Sequence, residues 1–348
     1  MLNLNIFNKK PFLIANIGFN FYDIAKKEDI SNMDAAKLMI DEAKSCGIDA
    51  VKFYSYDLDN IFSKDFFDSN DELSMLNIDL FKKYDKFDLD FCELFRYCNE
   101  KGILFLVTPF DFESVNYLDG LLDMYCISSS DLTNIPFIKY VASKNKPMII
   151  STGASTINEI RTAIKAIEEV SYVDIAIMHT VLSYPTDYND ANLLMIKDLA
   201  AHFSDYEIGY CDHTITDDEM LVLTTAFNYG AVVLEKHFTL DKSLKNNHCH
   251  SMDSDDVIKF KSKVDFLSRI MGHFNKQPLI CESSARQKIR KSIVASQDIR
   301  KGDKITESNT TFKIPGTGIS PDKISDVIGK IANQDIKKDC FIEYDMFD

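Results

Sequence analysis

The sequence predicts a parallel α/β barrel of eight βα units, a TIM (β/α)8 barrel, followed by a small, mainly β domain. Three observations carry this. Apolar, β-branched or aromatic runs of strand length recur eight times between Phe12 and Glu235. Amphipathic stretches, apolar at three- and four-residue spacing, lie between them. Beyond Gln277 this alternation stops, and short β-like runs alternate with polar turns. Eight such units in about 270 residues match the size of that barrel. A doubly wound open sheet is the alternative, but no GxGxxG follows the first run.

In order, the strand runs are 12–17, 50–54, 103–108, 124–128, 147–152, 175–179, 207–211 and 231–235. Helical patterns fall at Asn32–Ser45, 157–170 and 217–228, with Thr156 and Thr216 as expected caps. A last helical pattern, 255–271, closes the eighth unit with Ser254 before it. After the second run, 57–88 is long, acidic and rich in Phe, Leu and Tyr; a lid over the site and a partner-chain contact are equal readings. The expected organisation is a barrel over 1–272, a polar linker at 273–286 and the small domain over 287–348. The small domain carries a repeat, Ala295-Ser-Gln-Asp-Ile-Arg-Lys and Ala332-Asn-Gln-Asp-Ile-Lys-Lys. So short a chain makes a marginal core, which is expected to dock on the barrel or on a second subunit.

Charge and cysteine usage exclude several classes. A formal net charge of −15 and a pI near 4.9 argue against nucleic acid or an anionic membrane as partner. The 8 Cys show no CxxC or CxxxC spacing, so reduced thiols in a cytoplasmic setting are expected. No apolar run approaches a membrane span, and the first residues lack a signal-peptide order.

Two runs point to chemistry: Tyr210-Cys-Asp-His-Thr and Leu234-Glu-Lys-His-Phe-Thr. Ligands of parallel α/β proteins sit at strand carboxyl ends, so His213 and His237, each ending a strand, are predicted to share one site. Two imidazoles beside Asp212 and Glu235 suit a divalent metal. Lys52, inside a central-strand run, is predicted to be paired in that site.

The order of motifs is similar to the sialic acid synthase family, which makes nonulosonic acids from phosphoenolpyruvate and a hexosamine-derived sugar. The matching runs are Ile14-Ala-Asn-Ile-Gly-Phe-Asn, Val51-Lys-Phe, Thr108-Pro-Phe, Ile127-Ser-Ser-Ser-Asp, Ser151-Thr-Gly, Tyr184-Pro-Thr, Cys211-Asp-His-Thr and Leu234-Glu-Lys-His-Phe-Thr. The tail, through Lys313-Ile-Pro-Gly-Thr-Gly, resembles that family's antifreeze-like (SAF) domain. The resemblance implies Mn²⁺ or Mg²⁺ on His213 and His237, and phosphoenolpyruvate against Thr108, Ser129 and Ser151. It implies catalytic roles for Glu235, Lys52 and Asp131, a sugar side formed by Asn16, Tyr184 and Asn247, and a homodimer with exchanged C-terminal domains.

The chain also departs from the family pattern. Asn16 stands for a Glu and Phe21 for a His; Tyr54 takes the place of a Gln. Cys126 replaces the Lys expected to neutralise phosphoenolpyruvate, and Cys211 a Ser of the phosphate site. Asn247 stands where the sugar-binding Asp is expected, and Ile314 where the small domain supplies an Arg. Lys236, Lys242, Lys245 and the Arg286–Lys291 cluster are candidate replacement cations, and His248-Cys-His250 a weak signal for further metal or acid/base groups. Two readings stay open: a synthase with an altered sugar acceptor, or a paralogue that binds carbohydrate or regulates without synthase activity.

Overall fold

The computed structural model describes residues 11–64 and 89–348. The chain divides into two compact units, one ending at Ile270 and the other beginning at Met271. Residues 65–88, most of the 57–88 insertion, lie outside the described residues.

The first unit is an eight-stranded parallel barrel. Its strands are β1 (Phe12–Asn16), β2 (Ala50–Ser55), β3 (Leu104–Pro109), β4 (Tyr125–Ile127), β5 (Met148–Ser151), β6 (Ile175–Thr180), β7 (Glu207–Asp212) and β8 (Val233–His237). Parallel ladders run in the order β3-β2-β1-β8-β7-β6-β5-β4, and β3 packs beside β4 to complete the ring.

Side chains alternate along a strand with period two, so each strand divides its residues between two cores. Phe12, Ile14, Ala50, Leu106, Met124, Cys126, Ile149, Met178, Cys211 and Val233 fill the barrel interior. Leu13, Ala15, Val51, Phe53, Phe105, Val107, Ile177, Tyr210 and Leu234 pack outward under the helices. Continuing the inward parity to the carboxyl ends gives Asn16, Lys52, Thr108, Ser151, Thr180, Cys211, Glu235 and His237. The interior leaves no room to spare. A Cβ on Gly209 would lie 2.2 Å from Met178 Sδ and 2.6 Å from the Val233 carbonyl oxygen.

The helix Asn32–Ser45 has its expected bounds, and of the three expected caps the structure bears out one and corrects two. Thr156 and Glu159 form a capping box at Ile157–Glu168. The helix expected from 217 begins at Leu221, because Asp217 accepts from the Leu221 and Glu219 amides at 2.6 and 3.2 Å. Thr216 instead donates to the Ser251 carbonyl at 3.0 Å. Ser254 is the first residue of Ser254–Met271, and Asp253 takes the Asp256 amide at 3.0 Å. A carboxylate accepts these orphan amides more strongly than a hydroxyl does. Among the described residues, no helix is long and apolar enough to cross a membrane.

The second unit holds a short helix, Ser283–Ile289, that begins in the expected linker and runs into the expected small domain, and an antiparallel pair, β9 (Ser292–Ala295) with β10 (Thr310–Lys313). Its repeat folds back on itself. Equivalent Ile299 and Ile336 exchange backbone hydrogen bonds of 2.9 and 2.8 Å. Equivalent Asp298 and Asp335 accept from the Lys338 and Lys301 amides, each at 2.8 Å. Ile293, Ile299, Ile305, Val327, Ile336 and Ile342 close a core of its own.

Candidate active site

A cavity of about 500 Å³ opens at the carboxyl ends of the barrel strands. All side chains named from sequence line it except Asp131: Asn16, Lys52, Thr108, Ser129, Ser151, Tyr184, His213, Glu235, His237 and Asn247. Asp131 ends the one-turn helix Ser129–Asp131, where it accepts from Asn134 at 3.2 Å outside the cavity wall. Burial holds its carboxyl above the usual range.

The centre of the wall is a buried polar network. Lys52 Nζ donates to Glu235 Oε1, which also accepts from Asn16 Nδ2 at 2.9 Å. Asn16 Nδ2 donates in addition to the Tyr54 hydroxyl at 2.7 Å, and its Oδ1 is buried without a partner. Burial pulls the Lys52 ammonium down, but Glu235 beside it prevails and holds it above the usual lysine range. Burial pushes the Tyr54 phenol up to about 12. The backbone turns sharply here. Gly18 has φ +50°, and a Cβ on it would lie 2.9 Å from the Tyr54 ring.

The two strand-end imidazoles stand beside this network, with ring centroids 5.9 Å apart. His213 Nδ1 pairs with the Val181 carbonyl at 2.8 Å, so it carries the proton and Nε2 presents a lone pair. That Nε2 lies 3.4 Å from Cys211 Sγ. Burial lowers the His213 pKa to about 4 and, with His250 and His213 nearby, holds that of His237 well below the usual range. Both rings are therefore neutral at neutral pH, the state a metal requires. Tyr184 packs at a tilt against His213, with centroids 4.2 Å apart.

A metal fits these residues. His237 Nδ1 is buried with no hydrogen-bond partner, a cost that a ligand would remove. Among the described residues, no three His, Cys, Asp or Glu side chains form a ready ligand cluster. The fit therefore rests on the two imidazoles and exogenous oxygen ligands.

On the phosphoenolpyruvate side implied by the resemblance, Ser129 Oγ accepts from the Gly153 amide at 2.9 Å, tying the loop after β4 to the loop after β5. A Cβ on Gly153 would meet that Oγ at 2.9 Å and Leu182 at 2.7 Å. Thr108 is buried and Ser151 half-buried. Cys126 lies in the barrel interior, and burial pushes its thiol up to about 12. Two of the candidate replacement cations are already taken. Lys236 has outward parity and is paired with Asp212 at 2.6 Å, while Lys242 binds Asp253 and Asp256. The sequence reading missed Thr180, Asn246 and Cys249 as lining residues. Thr180 was within reach of strand parity; the other two sit on a turn that periodicity does not describe.

A family model described as the NeuB family matches residues 39–276, and one described as the SAF domain matches 290–348. The chain belongs to the NeuB family. This family member is 33% identical over 329 residues to N,N'-diacetyllegionaminic acid synthase of Legionella pneumophila, covering 91% of this chain and 89% of that one. It is 32% identical over 340 residues to N,N'-diacetyllegionaminic acid synthase of Campylobacter jejuni, covering 95% and 98%. A solved N-acetylneuraminic acid synthetase of Leptospira borgpetersenii, in complex with citrate, superposes with a TM-score of 0.65 at 27% identity, covering 80% of this chain and 90% of that one. The NeuB-family barrel thus presents three neutral imidazoles, a lysine–glutamate pair and several hydroxyls to one cavity.

Proposed function

We propose that the chain is a cytoplasmic, metal-assisted synthase that condenses phosphoenolpyruvate with a hexosamine-derived aldose. The enol C3 bonds to the aldehyde carbon and water adds at C2. Inorganic phosphate then leaves, giving a nonulosonic, sialic-acid-like acid. One observation carries this reading: in a NeuB-family chain, His213 and His237 share a cavity with the Lys52–Glu235 pair. A divalent ion, Mn²⁺ or Mg²⁺, on the two imidazoles would polarise the aldehyde oxygen as charge develops there.

The chain's own side chains do the rest. Lys52 holds the Glu235 side chain at the cavity wall, where its carboxylate can take a proton from the attacking water. Thr108, Ser129 and Ser151 offer hydroxyl donors to the phosphate and carboxylate oxygens. Asn16, Tyr184 and Asn247 face the sugar. The same reading makes the chain a homodimer with exchanged C-terminal domains; light scattering of the full chain tests the dimer.

A second reading is favoured by the cavity's charge. Lys52 is its one cationic lining side chain among the described residues, and Glu235 already neutralises it. Thiols stand at Cys126 and Cys211 where cation or hydroxyl donors to a highly anionic substrate would help. On that ground the chain is a paralogue that binds carbohydrate or regulates. Phosphate release from phosphoenolpyruvate with Mn²⁺, across a panel of hexosamine-derived aldoses, separates the two. Release that needs a particular aldose and vanishes in His213→Ala is the expected result. No release with any aldose, from folded protein that binds Mn²⁺, leaves the second reading.

A further inference from the structure

We propose that His250 is a third imidazole ligand, so that the ion sits in a three-histidine set formed with His213 and His237. The inference deepens the metal-site reading above and rests on it. His250 lies on the one-turn helix Asn246–His250 that follows β8. Its ring centroid is 5.0 Å from that of His237 and 6.4 Å from that of His213. Two imidazoles binding one ion at about 2.0–2.1 Å in a tetrahedral array bring their centroids to about 5 Å. The His237–His250 pair is already at that spacing, whereas His213, 5.9 Å from His237 and 6.4 Å from His250, joins them only by a shift of about 1 Å, which is why the three rings are not yet a ready cluster.

Two of the three rings also carry an unpaired buried nitrogen. His250 is 1% exposed, lines the cavity, and keeps Nε2 with no hydrogen-bond partner; His237 Nδ1 is in the same condition. Each orphaned nitrogen on these neighbouring rings is a cost that a bound cation would remove. The turn is also tied to the ligand strand. The Met252 amide donates to the His237 carbonyl at 2.8 Å, and Ser251 Oγ, held by Asn20 at 3.0 Å, donates to the Asn247 carbonyl at 2.7 Å. His248 Nε2 lacks a hydrogen-bond partner as well, but its Nδ1 is held on Thr239 Oγ1 at 2.6 Å and its ring does not line the cavity. His250 is thus held where His248 is not, facing the two strand-end rings.

An all-imidazole set selects for ions that accept nitrogen. Co²⁺, Zn²⁺ and Mn²⁺ bind ahead of Mg²⁺, which prefers oxygen and keeps its waters.

The test uses the full chain and the metal alone. X-ray absorption of the Co²⁺-loaded wild type counts imidazoles, and calorimetry gives Co²⁺ and Mg²⁺ affinities for wild type, His250→Ala and His213→Ala. The expected result is three imidazoles in wild type and two in His250→Ala. Co²⁺ affinity in that variant falls by more than about 100-fold, beyond the about 10–100-fold that outer partners of a metal site cost. Two imidazoles in wild type overturn the proposal, and that count needs no variant to fold. An affinity loss without a change in count also overturns it and makes His250 a positioning residue. Failure of the underlying reading looks different: wild type binds no metal, or His213→Ala binds as wild type does.

Discussion

The barrel carries two buried lysine–carboxylate pairs at the ends of neighbouring strands, and they are built for opposite purposes. Lys236 and Asp212 face outward, 2.6 Å apart, and every polar group around them is used. Lys236 also donates to the Thr214 carbonyl at 2.7 Å, while Asp212 Oδ1 accepts from Tyr210, the Thr214 amide and the Thr214 hydroxyl at 3.1, 2.9 and 2.8 Å. Lys52 and Glu235 face inward onto the cavity, and their neighbourhood is left unfinished: Asn16 Oδ1 and His237 Nδ1 have no partner. A closed network clamps β7 to β8 behind the two histidines. An open one waits for a ligand. Burial and charge are nearly the same in both, so the separating property is polar satisfaction, not the presence of an ion pair.

The largest expected effect comes from breaking the inward pair. Lys52→Met leaves Glu235 buried without its cation, which costs about 3–5 kcal/mol of stability. Turnover in the phosphate-release assay falls in addition by about 10²–10⁴, the range for a positioned acid or base. Lys236→Met should lose the same stability in urea titrations, about 3–5 kcal/mol. Its turnover per folded molecule should stay within about tenfold of wild type, or about 1.4 kcal/mol. If Lys52→Met also kept its turnover, the inward pair would be a clamp like the outward one. Smaller still is the cost of removing the outward pair whole. Asp212→Leu with Lys236→Met leaves no unpaired charge, only the Tyr210 and Thr214 donors, so the loss should shrink to about 1–3 kcal/mol. A double variant no better than Lys236→Met would mean that Asp212 matters through those donors rather than through the lysine.

The sequence contained the inward set because barrel parity is simple. Strand-end runs and period two place Asn16, Lys52, Thr108, Ser151, Glu235 and His237 on one face, and the structure brings them to one cavity. It also flagged His213 and Asp212 together, but adjacent residues on a strand point to opposite faces. Asp212 therefore belongs to the clamp, and so does Lys236, which had been a candidate cation for the site. What could not be read lies off the strands. Asp131 follows a seryl run whose one-turn helix carries it out of the wall, and the sequence flags His250 only weakly, as one of a His-x-His pair, because which of the two reaches the cavity depends on how the turn after β8 closes against Asn20 and His237. Such turns are set by a few side-chain hydrogen bonds, which leave no periodic trace.

The smallest effect extends the outward network by one residue. His179 is buried, pairs Nε2 with the Ala191 carbonyl at 2.9 Å, and stacks on Tyr210 at 5.5 Å between centroids. Burial lowers its pKa below the ordinary 6.5, and the hydrogen bond to Ala191 only partly offsets this. Below that value the unfolded chain binds a proton that the folded chain refuses, so its contribution to stability is present above pH 6.5 and is lost as the pH falls. His179→Gln removes this titration while keeping a donor. Urea titrations at about pH 7.5 and about pH 5 should show wild type losing more stability than the variant, by no more than about 1.4 kcal/mol per pH unit. Turnover near neutral pH should be unchanged, as for any group on the clamp side. Equal acid sensitivity in the two proteins would place the acid loss elsewhere, and a changed turnover would show that the outward network reaches the site through Tyr210 and Asp212.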